Sequence, residues 1–466
     1  MNVPDRLFLA AAHKSSGKTV VSAGLAAAFR LKGRSVQAFK KGPDYIDPMW
    51  LELAAGRVCY NLDFNTMTPD GLMQLLTGKT EPGALALIEA NKGLYDGMDP
   101  AGADSNAELA KLLRAPVVLV IDTMGMTRGI APLLLGYRQF DPKVNIAGVI
   151  LNKTGGLRHE GKLQAAVEAY CDIPVLGAVR RNHALEIGER HLGLTTPTES
   201  GALAAQMEEI GRIISGSVDL DRLAEIAAQA PALAPSPVRV RRRATGAPVR
   251  IAIARDTAFG FYYPDDLEAF AEAGAELVPF NTLRDQNLPE VDGLFIGGGF
   301  PETQAAGLAA NEDMRKAIRA AIEQGLPAYA ECGGLMYLCR SLSWQGATWP
   351  MVGAIDGDAV MCDRPQGRGY TAFRTRQGQP WGVENAEARA HEFHYARLDG
   401  LPPDTRYARD MLRGQGVDGS HDGIVVNNLL AGFCHLRHTQ TCPWVERFVE
   451  HVRRHKAEGH SAKPVG

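Results

Sequence analysis

Short uninterrupted apolar runs alternate along this chain with longer stretches in which apolar residues recur at helical spacing. In the first half the runs Arg6–Ala11, Val36–Phe39, Ala84–Glu89, Val117–Asp122 and Ile146–Asn152 read as strands. Several end on a polar residue just where a loop begins. That is the pattern of a parallel sheet whose functional residues gather at the carboxyl ends of its strands. The same grammar restarts in the second half. Strands are expected at Arg250–Ala254, Glu276–Phe280, Gly293–Ile296 and Ala328–Ala330, and helices at Asp265–Ala273 and Asn311–Gln324. Between the halves, from Ala227 to Pro248, the chain is rich in Pro and Ala and carries Arg239 and Arg241 to Arg243. This stretch reads as an exposed linker whose arginines are either solvated or hold an anion. No short repeat suggests a solenoid. The polar end after Arg454, with His460, Lys463 and Pro464, reads as a frayed tail. The expected fold class is α/β, with domains at 1–227 and 249–455, a linker at 228–248 and a tail at 456–466.

Composition narrows the function classes. A length of 466 residues suits two domains, and 45% apolar residues give each a real core. The net charge of −3 provides no global basic field, so nucleic acid is not an expected partner. The cysteines at 59, 171, 332, 339, 362, 434 and 442 are scattered, with no CxxC pair. That distribution argues against a disulfide framework or a zinc site and fits a reducing cytoplasm. The start, MNVPDRLFLAAAHKSSGKT, carries an acid before its apolar run and does not read as a secretory leader. No stretch approaches the ~18–20 apolar residues of a membrane span.

Two motifs carry chemistry. The strand Arg6–Ala11 runs into AHKSSGKT, and Ala12 to Thr19 fits the P-loop spacing with Ala in place of the first Gly. Gly17 lets the backbone approach a phosphate, and the following helix offers unpaired N–H groups and its positive end. Lys18 can reach the β/γ-phosphates and Thr19 can hold Mg²⁺. Lys14, Ser16, Gly17, Lys18, Thr19 and Lys40 form the expected ATP-binding set. FKKGPDYIDP brings Lys40, Lys41, Asp44, Tyr45 and Asp47, IEANKGLYDG brings Glu89 and Asp96, and VLVIDTMGM ends its strand on Asp122. Acids at strand ends beside a P-loop are natural magnesium ligands, with Glu89 and Asp47 the leading candidates. Any one of them taken alone is more often a cap or turn residue. Together they suit phosphoryl transfer to an oxyanion. Asn152 and Lys153 either touch the nucleotide base or cap a helix.

In the second half, Ala328–Ala330 leads into AYAECGGLMYL. Glu331-Cys332-Gly333-Gly334 lies between a strand and a helix, the sharp turn that exposes a nucleophile. The helix begins just past Cys332 and favours a thiolate there. Gly298 and Gly299, in FIGGGFPE, join the Gly333 N–H as candidate oxyanion donors. The base is expected at His435, ahead of His391, His394 and His438. A buried, inert thiol is the bland alternative for Cys332.

These motifs resemble the cobyrinate a,c-diamide synthase family along nearly the whole chain. The resemblance rests on SSGKT, FKKGPDYIDP, NLD at 61–63, GLYDG, GVILNK, ERHLGL, ARDTAFGFYYPDDLE, FIGGGFPE, AECGGLMYL, HEFHY and the late His435. It implies an ATP-using domain of dethiobiotin-synthetase type followed by a class I glutamine amidotransferase-like domain. Glutamine is then hydrolysed at Cys332, ATP phosphorylates a substrate carboxylate, and ammonia displaces the phosphate. By the same resemblance Lys18 and Thr19 serve ATP and Mg²⁺, and Glu89 and Asp47 hold metal or place the carboxylate. Asp44, Tyr45 and Asp96 line the acceptor site. The expected partners are ATP with Mg²⁺, L-glutamine and a tetrapyrrole polycarboxylate, and a homodimer is compatible with the motifs.

The chain departs from the family pattern in places. Glutaminases of the wider class carry a Glu two residues after the His, where this chain has Arg437, so either a Cys–His dyad or another orienting acid is expected. The chain reads EANKGLYDG where the family has EGVMGLYDG, NLDF where Trp follows NLD, and Ala390 where Gly precedes HEFHY. The acceptor is therefore cobyrinate, sirohaem or its precursor, or nickel-sirohydrochlorin. Outside enzymology, Lys14 before GKT is compatible with a P-loop regulatory ATPase bearing an inactive glutaminase-like domain.

Overall fold

Leu7 and Leu9 join one apolar cluster while Phe8 and Ala10 join another, and all four are fully buried. This is the two-residue alternation of an extended chain, and a strand apolar on both faces belongs inside a sheet covered on both sides. The computed structural model, which describes residues 4–190, 193–194, 203–233 and 246–459, places it there. The chain divides into two units, residues 1–239 and 240–466. The linker arginines 239 and 241–243, His191 of ERHLGL, and the tail residues 460, 463 and 464 fall outside the described residues.

The first unit holds β1 (Asp5–Ala11), β2 (Val36–Lys41), β3 (Tyr60–Leu62), β4 (Leu85–Glu89), β5 (Val117–Asp122), β6 (Ile146–Thr154) and β7 (Val175–Arg180). They form one sheet in the order β3-β2-β4-β1-β5-β6-β7, every pair parallel. Because β2, β4 and β1 are parallel neighbours, the loops after all three open on one edge of the sheet. The five expected strands are present within two residues at either end. β3 and β7 were not expected, the first being three residues long and the second interrupted by Gly177. A Cβ at Gly177 would strike the Ser217 carbonyl and lie 2.7 Å from Val218 Cα, so only glycine admits the chain that crosses there. Arg6 is fully buried at the base of β1, where its guanidinium donates to the carbonyls of Leu113, Pro4 and Pro231.

The second unit contains β8 (Val249–Ala254), β9 (Ala275–Phe280), β10 (Gly293–Ile296), β11 (Ala328–Glu331), β12 (Gly367–Thr375), β13 (Glu387–His394), β14 (Tyr407–Arg413), β15 (His421–Val426) and β16 (Leu429–Gly432). They make a nine-stranded sheet in the order β9-β8-β10-β11-β16-β15-β14-β12-β13. The half from β9 to β16 is parallel, and from β16 to β13 every pair is antiparallel. The restarted parallel grammar therefore covers only half of this sheet. β12 (GRGYTAFRT) shows why, since part of it faces solvent and carries polar residues, which blurs the apolar run. No helix among the described residues is long and apolar enough to cross a membrane.

Two candidate active sites

At the first site, β1 delivers the P-loop, β4 ends on Glu89, and β2 ends on Lys40 and Lys41 before the helix Ile46–Ala55. Lys40 pairs directly with Glu89 across the β2–β4 register. Glu89 is fully buried, and its Oε1 accepts from Lys18 Nζ at 3.0 Å, Thr19 Oγ1 at 2.8 Å and Lys40 Nζ at 2.8 Å. Asp47 Oδ2 accepts from Lys40 Nζ at 2.5 Å and Thr19 Oγ1 at 3.2 Å. The second oxygen of Glu89, Oε2, is buried without a hydrogen-bond partner. A buried orphan carboxylate oxygen, a second carboxylate and a hydroxyl form an oxygen-only donor set of the kind that suits Mg²⁺ beside a phosphate.

Burial and charge settle differently on each group. Burial would lower the Lys40 ammonium, but Asp47, Glu89 and Asp44 outweigh it and hold its pKa above the ordinary value. Lys18 is lowered, because burial exceeds what Glu89 returns. Burial and the charge of Asp47 push the Asp44 carboxyl up to about 7. Asp44 also accepts from the backbone N–H of Ile46 at 2.9 Å and Asp47 at 3.1 Å, so it caps the helix as well as facing the site. Tyr45 is half-buried at the start of that helix. Asp96 is exposed and accepts from Gly93 N–H at 3.0 Å, closing the GLYDG turn.

The loop itself is held from behind. Asn152 Nδ2 donates to the Ser16 carbonyl at 2.8 Å, and Lys153 Nζ reaches the Ser15 carbonyl at 2.9 Å and Asp122 at 2.8 Å. These contacts give Asn152 and Lys153 a further role, holding the loop from behind. No signal in the sequence marked it, because it depends on which carbonyls the loop turns toward β6. Ser16 is buried and donates to the His13 carbonyl at 2.7 Å, fixing the loop. Gly17 has a φ of 76°, and a Cβ there would strike Asn152 Nδ2. Lys14 is exposed on the loop, apart from the acid cluster.

The second site lies at the ends of β10, β11 and β16, which are neighbours in the parallel half of their sheet. They deliver Gly298 and Gly299, Cys332, and His435 respectively. Cys332 turns at a φ of 48°, rare for a residue with a side chain, and the helix Gly333–Leu338 starts immediately after it. Such a strained turn is the mark of a nucleophile elbow. A Cβ on Gly333 would lie 3.0 Å from Gly299 N, so the two glycine backbones are in close approach. A Cβ on Gly298 would lie 2.5 Å from His435 Cε1, so the imidazole rests against that glycine.

His435 is 3% exposed, and its Nδ1 lies 3.4 Å from Glu331 Oε2. Burial works against the imidazolium, but interaction with Cys332 and Glu331 prevails and pushes its pKa up to about 10. Of the competing histidines, one lies beside His435 and two have other partners. His391 stacks on His435 with centroids 4.8 Å apart, and burial followed by the charges of His435 and Arg437 holds it well below the ordinary histidine value. His394 stacks on Phe433 and meets the Ala396 carbonyl at 2.7 Å, and His438 lies 3.9 Å from Glu446. The carboxylate facing His435 is Glu331, whose Oε2 is 3.4 Å from Nδ1. Sequence reading placed Glu331 in the elbow but gave it no partner.

Comparison with known proteins adds to this geometry. Residues 8–194 match the family described as CobQ/CobB/MinD/ParA nucleotide binding domain, and residues 250–441 match the CobB/CobQ-like glutamine amidotransferase domain. The chain is 44% identical to the cobyrinate a,c-diamide synthase of Magnetococcus marinus, over 94% of this chain and 95% of that protein. It is 41% identical to the enzyme of the same name from Dehalococcoides mccartyi, over 94% and 95%, and 40% identical to that of Methanosarcina acetivorans, over 92% of each.

Proposed function

The chain belongs to the cobyrinate a,c-diamide synthase family and is a glutamine-hydrolysing ligase; from that premise we propose that it amidates two carboxylates of cobyrinic acid through acyl phosphates. The P-loop amides and Lys18 hold the phosphates of ATP, assisted by Lys14, Ser16 and Gly17. Thr19, Asp47 and Glu89 are the residues to hold Mg²⁺, which when bound offsets phosphate charge. Asp44, Tyr45 and Asp96 line the acceptor side, and Lys40 stays cationic beside the reacting carboxylate. The substrate carboxylate attacks the γ-phosphorus and ADP leaves. Ammonia then attacks the acyl carbon, phosphate departs and a proton is given up, leaving the amide.

The ammonia comes from glutamine. Cys332 as thiolate attacks the amide carbon, and donors at Gly298, Gly299 and Gly333 meet the oxyanion. His435 protonates the leaving ammonia, then takes a proton from the water that cleaves the thioester, releasing glutamate. In this division of labour residues 1–227 activate the acceptor and 249–455 supply nitrogen. The observation that carries the reading is that each unit gathers one cluster of the residues named above. Lys18, Thr19, Lys40, Asp47 and Glu89 converge in one, and in the other Cys332 turns at an elbow whose neighbouring glycines, Gly298 and Gly333, approach His435 and Gly299.

Asn91, Lys92 and Phe64 favour a second reading, with sirohaem or sirohydrochlorin as the acceptor, because they depart from the family pattern near Glu89 and Asp63. Mass spectrometry of products with cobyrinic acid, sirohydrochlorin and sirohaem, each offered with ATP, Mg²⁺ and glutamine, separates the two. Two amides on cobyrinic acid alone support the main reading. An amide on sirohaem or sirohydrochlorin alone shifts the acceptor to the second. ATP hydrolysis with no amide on any of them favours a regulatory ATPase.

A further inference from the structure

His435 needs a group that fixes its ring and tautomer if it is to shuttle protons. The residue two places beyond it, Arg437, cannot serve. Its guanidinium is 2.8 Å from Asp265 and lies over the Tyr263 ring at 4.9 Å. The group that faces His435 Nδ1 is Glu331 Oε2, at 3.4 Å, and both side chains are 3% exposed. The other oxygen, Oε1, is held by the Tyr329 hydroxyl at 2.7 Å and the Leu436 N–H at 2.8 Å. Tyr329 is 3.5 Å from Arg409 Nη2, and Arg409 Nη1 meets Asp422 Oδ2 at 2.9 Å. Asp422 Oδ1 in turn accepts the Phe433 N–H at 2.8 Å, two residues before His435. A buried line of polar contacts thus runs from β15 through β14 and β11 to the imidazole.

We propose that Glu331 is the positioning residue for His435, completing a Cys332–His435–Glu331 triad whose acid comes from the residue before the nucleophile. Neighbouring side chains on a strand point to opposite faces, so residues 331 and 332 could not meet one ring if the strand continued. The left-handed turn at Cys332 breaks that alternation. Glu331 accepts the Nδ1 proton and remains ionised, steadying the imidazolium that protonates ammonia. This assignment rests on the reading that Cys332 and His435 hydrolyse glutamine.

Glu331→Gln isolates the role. The amide oxygen can still accept from Tyr329 and Leu436, but its NH₂ cannot accept from Nδ1. In the full-length protein, glutamate release is expected to fall ~100-fold or more with little change in KM for glutamine. Ammonium-supported amide synthesis stays at the wild-type rate, and the alkaline limb of the glutaminase pH profile moves toward neutrality. Groups facing the imidazole are Cys332, Glu331 and His391, with Arg437 and Tyr263 behind His391. Glutamate release at the wild-type rate overturns the proposal, as does a matching loss of ammonium-supported synthesis, which marks Glu331 as merely structural. Tyr329→Phe removes one of the bonds fixing Glu331 and is expected to slow glutamate release ~10-fold. Unchanged release in that variant overturns the proposal even if Glu331→Gln does not fold. Glutamate release needs neither ATP nor tetrapyrrole. A wild-type protein that releases none contradicts the functional reading instead.

Discussion

Lys18 and Lys40 reach the same oxygen of Glu89, yet burial wins at one and charge at the other. Lys40 has Asp47 and Asp44 as further partners and is a fixed cation, while Lys18 is the group whose charge an arriving phosphate would restore. Lys18→Ala is therefore expected to abolish amide formation while basal glutamate release continues. Paired assays of both products check this, and full amide synthesis by the variant contradicts it. At the other site the sign is that of a raised base. Against burial, Cys332 and Glu331 lift His435 from 6.5 to about 10. The pairing stabilises the fold fully below pH 6.5, and that contribution is lost as pH rises through about 10. The thermal stability of the second unit should therefore fall between neutral pH and about 10, and His435→Asn should flatten that slope. Equal slopes in the two proteins contradict the assignment.

Strand ends, more than strands, organise both sites. β2, β4 and β1 in one sheet, and β10, β11 and β16 in the other, each bring residues far apart in sequence to one edge. Gly298, just past β10, shows how tight that edge is, since a Cβ there would lie 2.5 Å from His435 Cε1. Gly298→Ala is expected to displace the imidazole and cut glutamate release ~10–100-fold, with ammonium-supported synthesis retained. Wild-type release contradicts the close approach. Asn152→Ala frees the Ser16 carbonyl from β6 and is expected to raise the KM for ATP, measured under ammonium so that glutaminase plays no part.

The central parallel strands and both motifs were legible because apolar runs, Gly-rich turns and acids at strand ends are local patterns. The antiparallel strands were not, since one-sided burial leaves polar residues throughout β12. Nor was the Glu331–His435 contact. It depends on one dihedral angle at Cys332 and on β16 lying beside β11. Asn152 and Lys153 illustrate the same limit, since their partners are backbone carbonyls of a loop more than a hundred residues earlier.

At the scale of the whole molecule, the proposed reaction divides between the two units, nitrogen supply in one and carboxylate activation in the other. Cys332→Ser should thus lose glutamine-dependent synthesis and regain it at high ammonium, because the cysteine supplies only nitrogen. Failure of that rescue in folded protein would give Cys332 a further role. The most direct measurement follows isotope-labelled amide nitrogen from glutamine into product by mass spectrometry, with cobyrinic acid, ATP and Mg²⁺. The account predicts two labelled amides on the macrocycle, formed only when ATP is present and absent in Lys18→Ala. Labelled ammonia released beside an unmodified macrocycle, with ATP consumed, would contradict it.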